Sequence, residues 1–163
     1  IIGKRALIGV EYDISHNEQS KFMDLEKNTL DYSYENDSIR TLFTTQGLLK
    51  IGGEFKLTDK FAIRAGYAMA NPITLSRIGK EFIPNTIRTD VAYFVPKGNT
   101  NYWSAGFGYR ESKWYIDLAV INKTYVERFY PYNYKKLDKT RRIDPGKVST
   151  TNFNIVATLG FRF

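Results

Sequence analysis

The chain lacks cysteine altogether and contains one histidine, His16, in 163 residues. Without cysteine, a disulfide framework and a thiolate metal site are excluded, and a lone histidine provides no pair for a metal ion. No run of 18 apolar residues occurs, which excludes a transmembrane helix. Aromatic residues are abundant instead, with 12 Tyr and 11 Phe. This composition is typical of membrane-spanning β-barrels, whose aromatic side chains collect at the two membrane interfaces.

The formal charge is +7, but the basic residues are spread along the chain and form no single tract. This distribution argues against a nucleic-acid-binding protein. The length suits one domain. The sequence begins at Ile1 without an initiator methionine or a signal peptide. We therefore expect either that a signal has been removed or that these residues belong to a longer protein.

Six segments alternate between apolar and polar residues with a period of two, which predicts strands with one apolar and one polar face. They cover residues 5–14, 47–57, 61–69, 101–110, 113–122 and 153–163. The last segment shows the pattern best: its apolar series is Phe153, Ile155, Ala157, Leu159, Phe161 and Phe163. Ending a strand on a bare aromatic residue is common in outer-membrane barrels and rare in soluble proteins, whose termini fray in water.

The polar series carries many charges, which excludes a dry sandwich core on that side. The charged residues are Glu11, Asp13, Lys50, Glu54, Lys56, Arg64, Arg110, Asp117 and Arg162. A soluble sheet with one solvated face would accommodate them equally well. The connectors, however, alternate between short turns at 58–60 and 111–113 and long loops at 15–46, 71–100 and 123–150. This alternation predicts an all-β fold, an antiparallel transmembrane β-barrel of the outer membrane with both chain ends on the periplasmic rim.

Six strands are too few to close a barrel, since the smallest single-chain barrels have eight. Two further strands are conceivable at 87–95 and 125–134, although these stretches alternate poorly and carry or adjoin Pro84, Pro96 and Pro131. We therefore predict that residues 1–163 form the C-terminal part of a single, larger barrel domain. A complete eight-stranded barrel is the alternative.

Three segments resemble late strands of the FadL/TodX family of outer-membrane transport proteins, in particular members from the Bacteroidetes. The first is Ala62-Ile63-Arg64-Ala65-Gly66-Tyr67-Ala68, with Asn71-Pro72 after it. The second is Asn101-Tyr102-Trp103-Ser104-Ala105-Gly106-Phe107-Gly108-Tyr109-Arg110, and the third is Trp114-Tyr115-Ile116-Asp117-Leu118-Ala119. The order of these elements up to the Phe-terminal strand is similar as well, over residues 47–163.

The resemblance implies a fourteen-stranded barrel in the outer membrane of a Gram-negative bacterium, of which this chain supplies the last six strands or so. It also implies transport of hydrophobic compounds, such as long-chain fatty acids, by binding and diffusion without bond chemistry or a cofactor. The family's N-terminal hatch and substrate-groove loops have no counterpart in this sequence, so the resemblance assigns no substrate-binding residue. The alternative function is a small, non-transporting barrel that acts as an anchor, an adhesin or a partner-binding protein.

Residues on the polar series are the candidates for lining the lumen. They are Arg64, Gly66, Gly106, Gly108, Arg110 and Asp117, and Gly160 belongs to the same series. Glycine weakens a strand unless something approaches closely or the strand bends, so these glycines indicate room for a plug or a ligand, or simply barrel curvature. The apolar residues Trp103, Phe107, Trp114, Ile116, Leu118, Ile155, Leu159 and Phe161 are expected to face lipid. Arg64 and Tyr67 must then lie on opposite faces.

Nothing in the sequence predicts an enzyme or a metal protein. His16, near Asp13 and Glu18, stands alone without a Gly-x-Ser-x-Gly motif, and we interpret it as a solvated loop residue. Six acidic residues in loop 15–46 do not have EF-hand spacing, and a solvated acidic loop is the simpler interpretation. They are Glu18, Asp24, Glu26, Asp31, Glu35 and Asp37.

The expected partners are outer-membrane lipids and lipopolysaccharide, a hydrophobic small-molecule substrate and the barrel-insertion machinery. Phosphate-bearing lipids would attract the basic residues of loop 123–150, although plain solubility explains them nearly as well. These are Lys135, Lys136, Lys139, Arg141, Arg142 and Lys147. Phe161 and Phe163 are predicted to form the assembly signal, with anchoring of Phe163 at the periplasmic interface as the alternative.

Overall fold

The computed structural model describes residues 5–24, 31–74, 93–131 and 144–162, which form one antiparallel sheet. Its strands are β1 (Ala6–His16), β2 (Thr45–Lys56), β3 (Phe61–Ala70), β4 (Tyr93–Pro96), β5 (Thr100–Arg110), β6 (Trp114–Tyr130) and β7 (Gly146–Phe161). A 3₁₀ turn (Asn17–Gln19) and a helix, α1 (Ser33–Leu42), are among the described residues between β1 and β2. Among the described residues, no helix is long and apolar enough to cross a membrane.

The long strands form a meander, in which β1, β2, β3, β5, β6 and β7 pair in that order. The short strand β4 is the one addition to this order, because it pairs with the far end of β6. Pro96 lies opposite Glu127 and Asn101 lies opposite Thr124, so β4 and β5 follow the same edge of β6. The residues between them form a bulge, in which Gly98 has a φ of 80° that favours glycine.

All six predicted segments are strands of this sheet, and the predicted all-β antiparallel class is confirmed. The predicted limits of the last strands were wrong, since β6 continues to Tyr130 and β7 begins at Gly146. Tyr93–Pro96 and the stretch 125–130 are strands, but they extend the edge of β5 and the end of β6. Of the two conceivable additional strands, 87–95 is confirmed in part as the short strand β4, with 87–92 outside the described residues, whereas 125–130 belongs to β6.

The two ends of the sheet differ in the length of their connections, as predicted. β2 joins β3 and β5 joins β6 through short turns, which define the short-turn rim. Thr58 closes the first turn by accepting hydrogen bonds at its Oγ1 from the amides of Lys60 and Phe61. The other three connections lie at the opposite, long-loop rim. β1 begins and β7 ends at the short-turn rim, because the strands alternate in direction.

The register separates the residues of the sheet into two faces. On the apolar face, Val10, Ile51, Tyr67 and Trp103 follow one another directly across four strands. On the polar face, oppositely charged residues lie next to each other on neighbouring strands, for example Glu11 on β1 and Lys50 on β2. Arg64 lies on the polar face and Tyr67 on the apolar face, as predicted. Every residue predicted to face lipid lies on the apolar face: Trp103, Phe107, Trp114, Ile116, Leu118, Ile155, Leu159 and Phe161.

Within the described residues, no second layer covers the apolar face between the short-turn rim and Trp103, whereas Val95 and Tyr130 at the far end of the same face are buried. Val10 is 67% exposed, Trp103 59% and Ile155 69%. The buried apolar residues of the described chain are Ala70, Val95 and Tyr130 only. The sheet therefore has no conventional hydrophobic core, because its large apolar side chains point outward on one side.

Candidate functional site on the concave face

The sheet curls toward its polar face and encloses a groove of about 670 Å³ there. The groove is lined by residues from β1, such as Gly9, and by residues from β6, such as Ala119, although three strands separate these two. A flat sheet would hold such residues far apart, since neighbouring strands lie about 4.8 Å from each other. The polar face is therefore concave, and the apolar face is convex.

Three charged residues form a network on this concave face. The Arg64 guanidinium donates from Nε to Glu54 at 2.7 Å and from Nη1 to Asp117 at 2.6 Å. Glu54 lies directly opposite Arg64 on β2, whereas Asp117 lies on β6, beyond β5. The network thus connects three strands and spans the fourth.

Small residues on β5 make the long reach of Arg64 possible. Gly106 lies opposite Arg64, and Gly108 lies opposite Asp117, so no β5 side chain separates the two charged groups. A Cβ at Gly108 would meet the carboxylate of Asp117 and would lie 3.3 Å from Nη1 of Arg64. Glycine at this position is therefore required by the ion pairs that cross over it.

A second charged cluster lies nearer the long-loop rim, where Lys50 contacts two carboxylates of β1. Its Nζ is 2.8 Å from Glu11 Oε1 and 2.8 Å from Asp13 Oδ2. Both clusters combine one cation with two anions, so each carries a formal charge of −1 when all groups are ionised. The two clusters together therefore leave a formal charge of −2, and every charged group in them has an ionic partner.

Arg110 belongs to a separate cluster at the short-turn rim. Its guanidinium lies 5.9 Å from the centre of the Tyr115 ring, in a cation–π arrangement. The Tyr115 ring in turn covers Gly160, where any added Cβ would overlap ring atoms. Gly160 therefore makes room for an aromatic side chain of the neighbouring strand.

The part of the concave face toward the long-loop rim is mainly apolar and forms a second groove of about 520 Å³. Leu48, Ala68, Tyr102 and Ile121 line it. Lys123 lies beside this groove, with its Nζ 5.6 Å from the Tyr102 ring centre and 5.0 Å from that of Tyr125. An elongated apolar molecule could lie along these residues, with Lys50 at one end of the groove and Lys123 at the other.

The two short turns are connected by an ion pair between Lys60 and Glu111, with 2.6 Å between Nζ and Oε1. The hydrogen bond from Lys60 lowers the pKa of Glu111 below its ordinary value, and the same contact raises the pKa of Lys60. The Tyr109 hydroxyl also donates to Glu111. The ion pair thereby joins the two turns at the adjoining ends of the neighbouring strands β3 and β5.

His16 ends β1 at the long-loop rim, where its Nδ1 lies 3.0 Å from Thr45 Oγ1 and 3.3 Å from Glu18 Oε1. Thr45 donates its hydroxyl proton to Glu18. The pKa of Glu18 is lowered, first by its own backbone amide and next by this hydroxyl. Asp13, expected near His16, pairs with Lys50 instead. In a catalytic triad, the hydroxyl would donate to one ring nitrogen of the histidine and the carboxylate would accept from the other. Here Nδ1 of His16 contacts both Thr45 and Glu18, and the Thr45 hydroxyl donates to Glu18. The cluster therefore lacks the arrangement of a catalytic triad.

The six predicted lumen-lining residues all lie on the polar, concave face. Arg64, Gly108 and Asp117 come together in one network, Gly66 and Gly106 line the larger groove, and Arg110 lies apart with Tyr115. Sequence analysis placed Glu54 and Lys50 on this face but did not pair them with their partners. Direct cross-strand pairs such as Glu54 with Arg64 follow from the short turn between β2 and β3, which was a usable signal.

The remaining predicted sites are only partly described. Phe161 ends β7 on the apolar face and is 64% exposed, whereas Phe163 lies outside the described residues. Of the basic loop residues, Lys147 lies on β7, and Lys135, Lys136, Lys139, Arg141 and Arg142 fall outside the described ranges. Within the described ranges, no three His, Asp or Glu side chains are grouped closely enough to hold a metal ion. Glu26 of the acidic loop lies outside those ranges.

Comparison of the chain with protein-family models, curated proteins and solved structures found no match.

Proposed function

We propose that this chain forms part of the wall of an outer-membrane β-barrel that transports hydrophobic compounds, such as long-chain fatty acids. Transport would proceed by binding and diffusion along the concave face, without bond chemistry. The observation that carries the proposal is the exposure of the apolar face from the short-turn rim up to Asn122 and Phe153, on a sheet whose charges at that level lie on the other, concave face. In water such a face is unfavourable, since each Å² of exposed apolar area costs about 25 cal/mol relative to burial.

Lipid is the natural cover for this face, because the face is continuous, convex and contributed by every long strand. Between Ile8 on β1 and Leu159 on β7, its large side chains are aliphatic or aromatic. A single protein partner would have to follow the curvature of the entire sheet. Hydrocarbon chains adapt to any convex surface and require no hydrogen bonds from it.

Two rows of aromatic residues border the apolar face. Near the short-turn rim, the ring centres of Phe61 and Tyr109 are 4.6 Å apart, and those of Tyr109 and Trp114 are 5.4 Å apart. Nearer the long-loop rim, Tyr67 and Trp103 are 4.4 Å apart. Six residues separate the rows on β5, about 20 Å along the strand. For a strand tilted by about 40° the rows are about 15 Å apart across the membrane, so both would lie within or at the edges of an apolar band about 25 Å tall.

The apolar face becomes polar beyond the second row. On β6 and β7, the pair Asn122 and Phe153 is followed by Thr124 with Thr151 and then by Val126 with Ser149. The strands therefore extend past the apolar band on the long-loop side. This supports a membrane position in which the short-turn rim lies at one interface and the ends of β6 and β7 protrude from the other.

The concave face supports passage of an apolar molecule more than of an ion. Its two grooves are lined largely by small or apolar residues, including Gly52, Gly66, Ala68 and Ile121. The charged groups that line these grooves are paired with each other, as in the Glu54–Arg64–Asp117 network. A hydrophobic substrate would meet a smooth surface without having to strip water from unpaired charges.

A pair of phenylalanine substitutions tests the transport function in the full-length protein. Gly52→Phe adds a large side chain to the groove, and a Cβ there meets only backbone atoms at 3.6 and 4.0 Å, so the sheet tolerates it. Ala65→Phe on the neighbouring strand adds the same side chain to the apolar face and serves as the matched control. We expect Gly52→Phe to reduce uptake of a labelled long-chain fatty acid by cells about tenfold, and Ala65→Phe to leave it unchanged. Equal uptake by the two variants, at equal amounts of inserted protein, would contradict transport along this face.

A non-transporting barrel that serves as an anchor, an adhesin or a partner-binding protein is the second candidate. The observation in its favour is the Glu54–Arg64–Asp117 network, whose side chains extend across the concave face near the short-turn rim and would obstruct a molecule moving along it. The reading frame of the parent gene separates the candidates. Roughly 250 upstream residues with a signal peptide and further alternating strands would support the FadL-like transporter. A start codon and signal directly before Ile1 would favour the small barrel.

A further inference from the structure

We propose that Lys123 on β6 binds the anionic headgroup of an elongated amphiphile, whose apolar tail lies in the grooves of the concave face. This role rests on the proposed transport function and narrows the substrates to molecules with one negatively charged end. Within the described residues, Lys123 takes part in none of the ion pairs. Its direct neighbours on β5 and β7 are Tyr102 and Asn152, and both are uncharged.

Aromatic rings surround the Lys123 ammonium where carboxylates surround the other cations of the concave face. Its Nζ lies 5.6 Å from the ring centre of Tyr102 and 5.0 Å from that of Tyr125. The ring faces attract a cation, but they accept no ordinary hydrogen bonds from its three N–H donors and bring no negative charge. The nearest acidic residue on the same strand and face, Glu127, is four residues further along β6, or about 13 Å. An anionic ligand would therefore supply the counter-charge that the described residues do not provide.

The other charged groups along the grooves would repel the same anion. Lys50 lies in the same row of the sheet as Lys123, but it is matched by both Glu11 and Asp13. Arg64, nearer the short-turn rim, is likewise matched by two carboxylates. Each of these clusters has a formal charge of −1. Among the described residues in or beside the two grooves, Lys123 is thus the cation without an acidic partner.

A path of small and apolar residues begins beside Lys123. Ile121 precedes it by two positions and lies on the same face, and the row across the sheet at this level continues with Ser104, Gly66 and Gly52. These four residues line both grooves, so the two grooves are continuous through them. An apolar tail whose headgroup is at Lys123 can follow this path toward the short-turn rim.

The distribution of charge also determines the orientation of the amphiphile. Its headgroup would lie nearer the long-loop rim and its tail would point toward the short-turn rim, where the Arg64 cluster disfavours a negative charge. Lysine carries a compact point charge, so a headgroup with one negative charge, such as a carboxylate, matches it. An uncharged molecule of equal length would make the apolar contacts but would gain no charge-assisted hydrogen bond.

The test uses single variants of the full-length protein in lipid nanodiscs, with empty nanodiscs as the background. Lys123→Gln removes the charge and keeps a long polar side chain, whereas Lys123→Arg keeps the charge. Lys97→Gln removes an exposed charge from the bulge between β4 and β5, outside the lining of both grooves, and is the matched control. Affinities are measured for hexadecanoate, hexadecanol and hexadecyltrimethylammonium, which have the same tail and differ in the charge of the headgroup.

The native protein and Lys97→Gln should bind hexadecanoate about tenfold more tightly than hexadecanol, and the cationic amphiphile most weakly. Lys123→Gln should lose the preference for the acid while its affinity for the alcohol stays the same. Lys123→Arg should retain the preference, which excludes misfolding as the cause. An equal loss of acid and alcohol binding in Lys123→Gln would mean that the lysine only shapes the groove, and it would overturn the assignment. An unchanged preference in that variant would overturn it as well.

Binding of the uncharged alcohol distinguishes this inference from the proposed function. If the native protein bound hexadecanol and hexadecanoate equally, and Gly52→Phe weakened both, the headgroup site at Lys123 alone would be refuted. If the native protein bound none of the three amphiphiles above the level of empty nanodiscs, binding of hydrophobic molecules along the concave face would itself be refuted.

Discussion

Arg64 is a cation held between two carboxylates on the concave face, and it is only partly shielded from solvent. Its side chain is 42% exposed, and those of Glu54 and Asp117 are 27% and 30% exposed. Screening by water therefore limits what each ion pair contributes to stability. Removing the cation has a larger effect than the pairs themselves suggest, because two carboxylates would then face each other without compensation.

The first prediction concerns this network. We expect Arg64→Met to destabilise the full-length protein by about 1–2 kcal/mol, owing to repulsion between the remaining carboxylates. The triple variant Glu54→Gln, Arg64→Met, Asp117→Asn has no charges at the site and should recover most of that loss. Urea-induced unfolding in lipid vesicles measures both. If the triple variant were as unstable as Arg64→Met, the packing of the arginine side chain and not its charge would be responsible.

Strand β6 shows how a single element presents two environments to its side chains. Leu118 lies on the apolar face between Phe107 and Ala157, whereas Ala119 lies on the concave face between Gly106 and Val156. The two residues are adjacent on one strand and lie at nearly the same distance from both rims. They differ in the face of the sheet on which their side chains lie, which is apolar for Leu118 and polar for Ala119.

The second prediction uses this contrast. Leu118→Arg should cost about 2–4 kcal/mol, because an arginine near the bilayer midplane has to leave water. Ala119→Arg should cost far less, since its side chain points into the groove, where Asp117 offers a carboxylate. Unfolding of both variants in vesicles gives the two values. Equal costs would mean that the apolar face is not in contact with lipid.

The whole sheet is open, with β1 and β7 each paired on one side only within the described residues. The amide of Arg162 donates to Lys113, so the alternate residues of β7, including Val156, direct their amides toward β6. Ala157 consequently directs its amide to the outer edge. In a closed barrel that edge has a partner strand, because unpaired backbone groups are unfavourable in lipid.

The third prediction tests whether the sheet closes. Ala157→Pro removes an amide that only a further strand would use, and proline is tolerated on edge strands but not inside a sheet. We expect the substitution to reduce the amount of heat-resistant, membrane-inserted full-length protein severely. Ala157→Val keeps the amide and should behave as native, and Val156→Pro should be harmful in any case, since it removes a bond to β6. A native level of inserted Ala157→Pro protein would show that β7 remains a free edge.

The arrangement of strands could largely be predicted from the sequence, because a period of two is a local property of an extended backbone. Segments such as 101–110 and 153–163 carry an apolar residue at every second position, which defines both the strand and its outward face. The alternation of short and long connectors likewise predicted which ends share a rim. The protruding part of β6, from Lys123 to Tyr130, was expected only as a conceivable separate strand at 125–134, because both of its faces contain polar residues and the period is lost.

The tertiary structure alone decided which side chains meet and how the sheet bends. Glu54 and Arg64 are joined by one short turn, but Asp117 is separated from Arg64 by 53 positions and reaches it across the glycines of β5. The position of Lys123 beside the Tyr102 ring likewise depends on the register of β5 with β6. Alternation is encoded residue by residue, whereas register and curvature arise from hydrogen bonds between distant segments. For that reason the sequence by itself determined the faces of this protein, and only the folded sheet determined its grooves and its charge clusters.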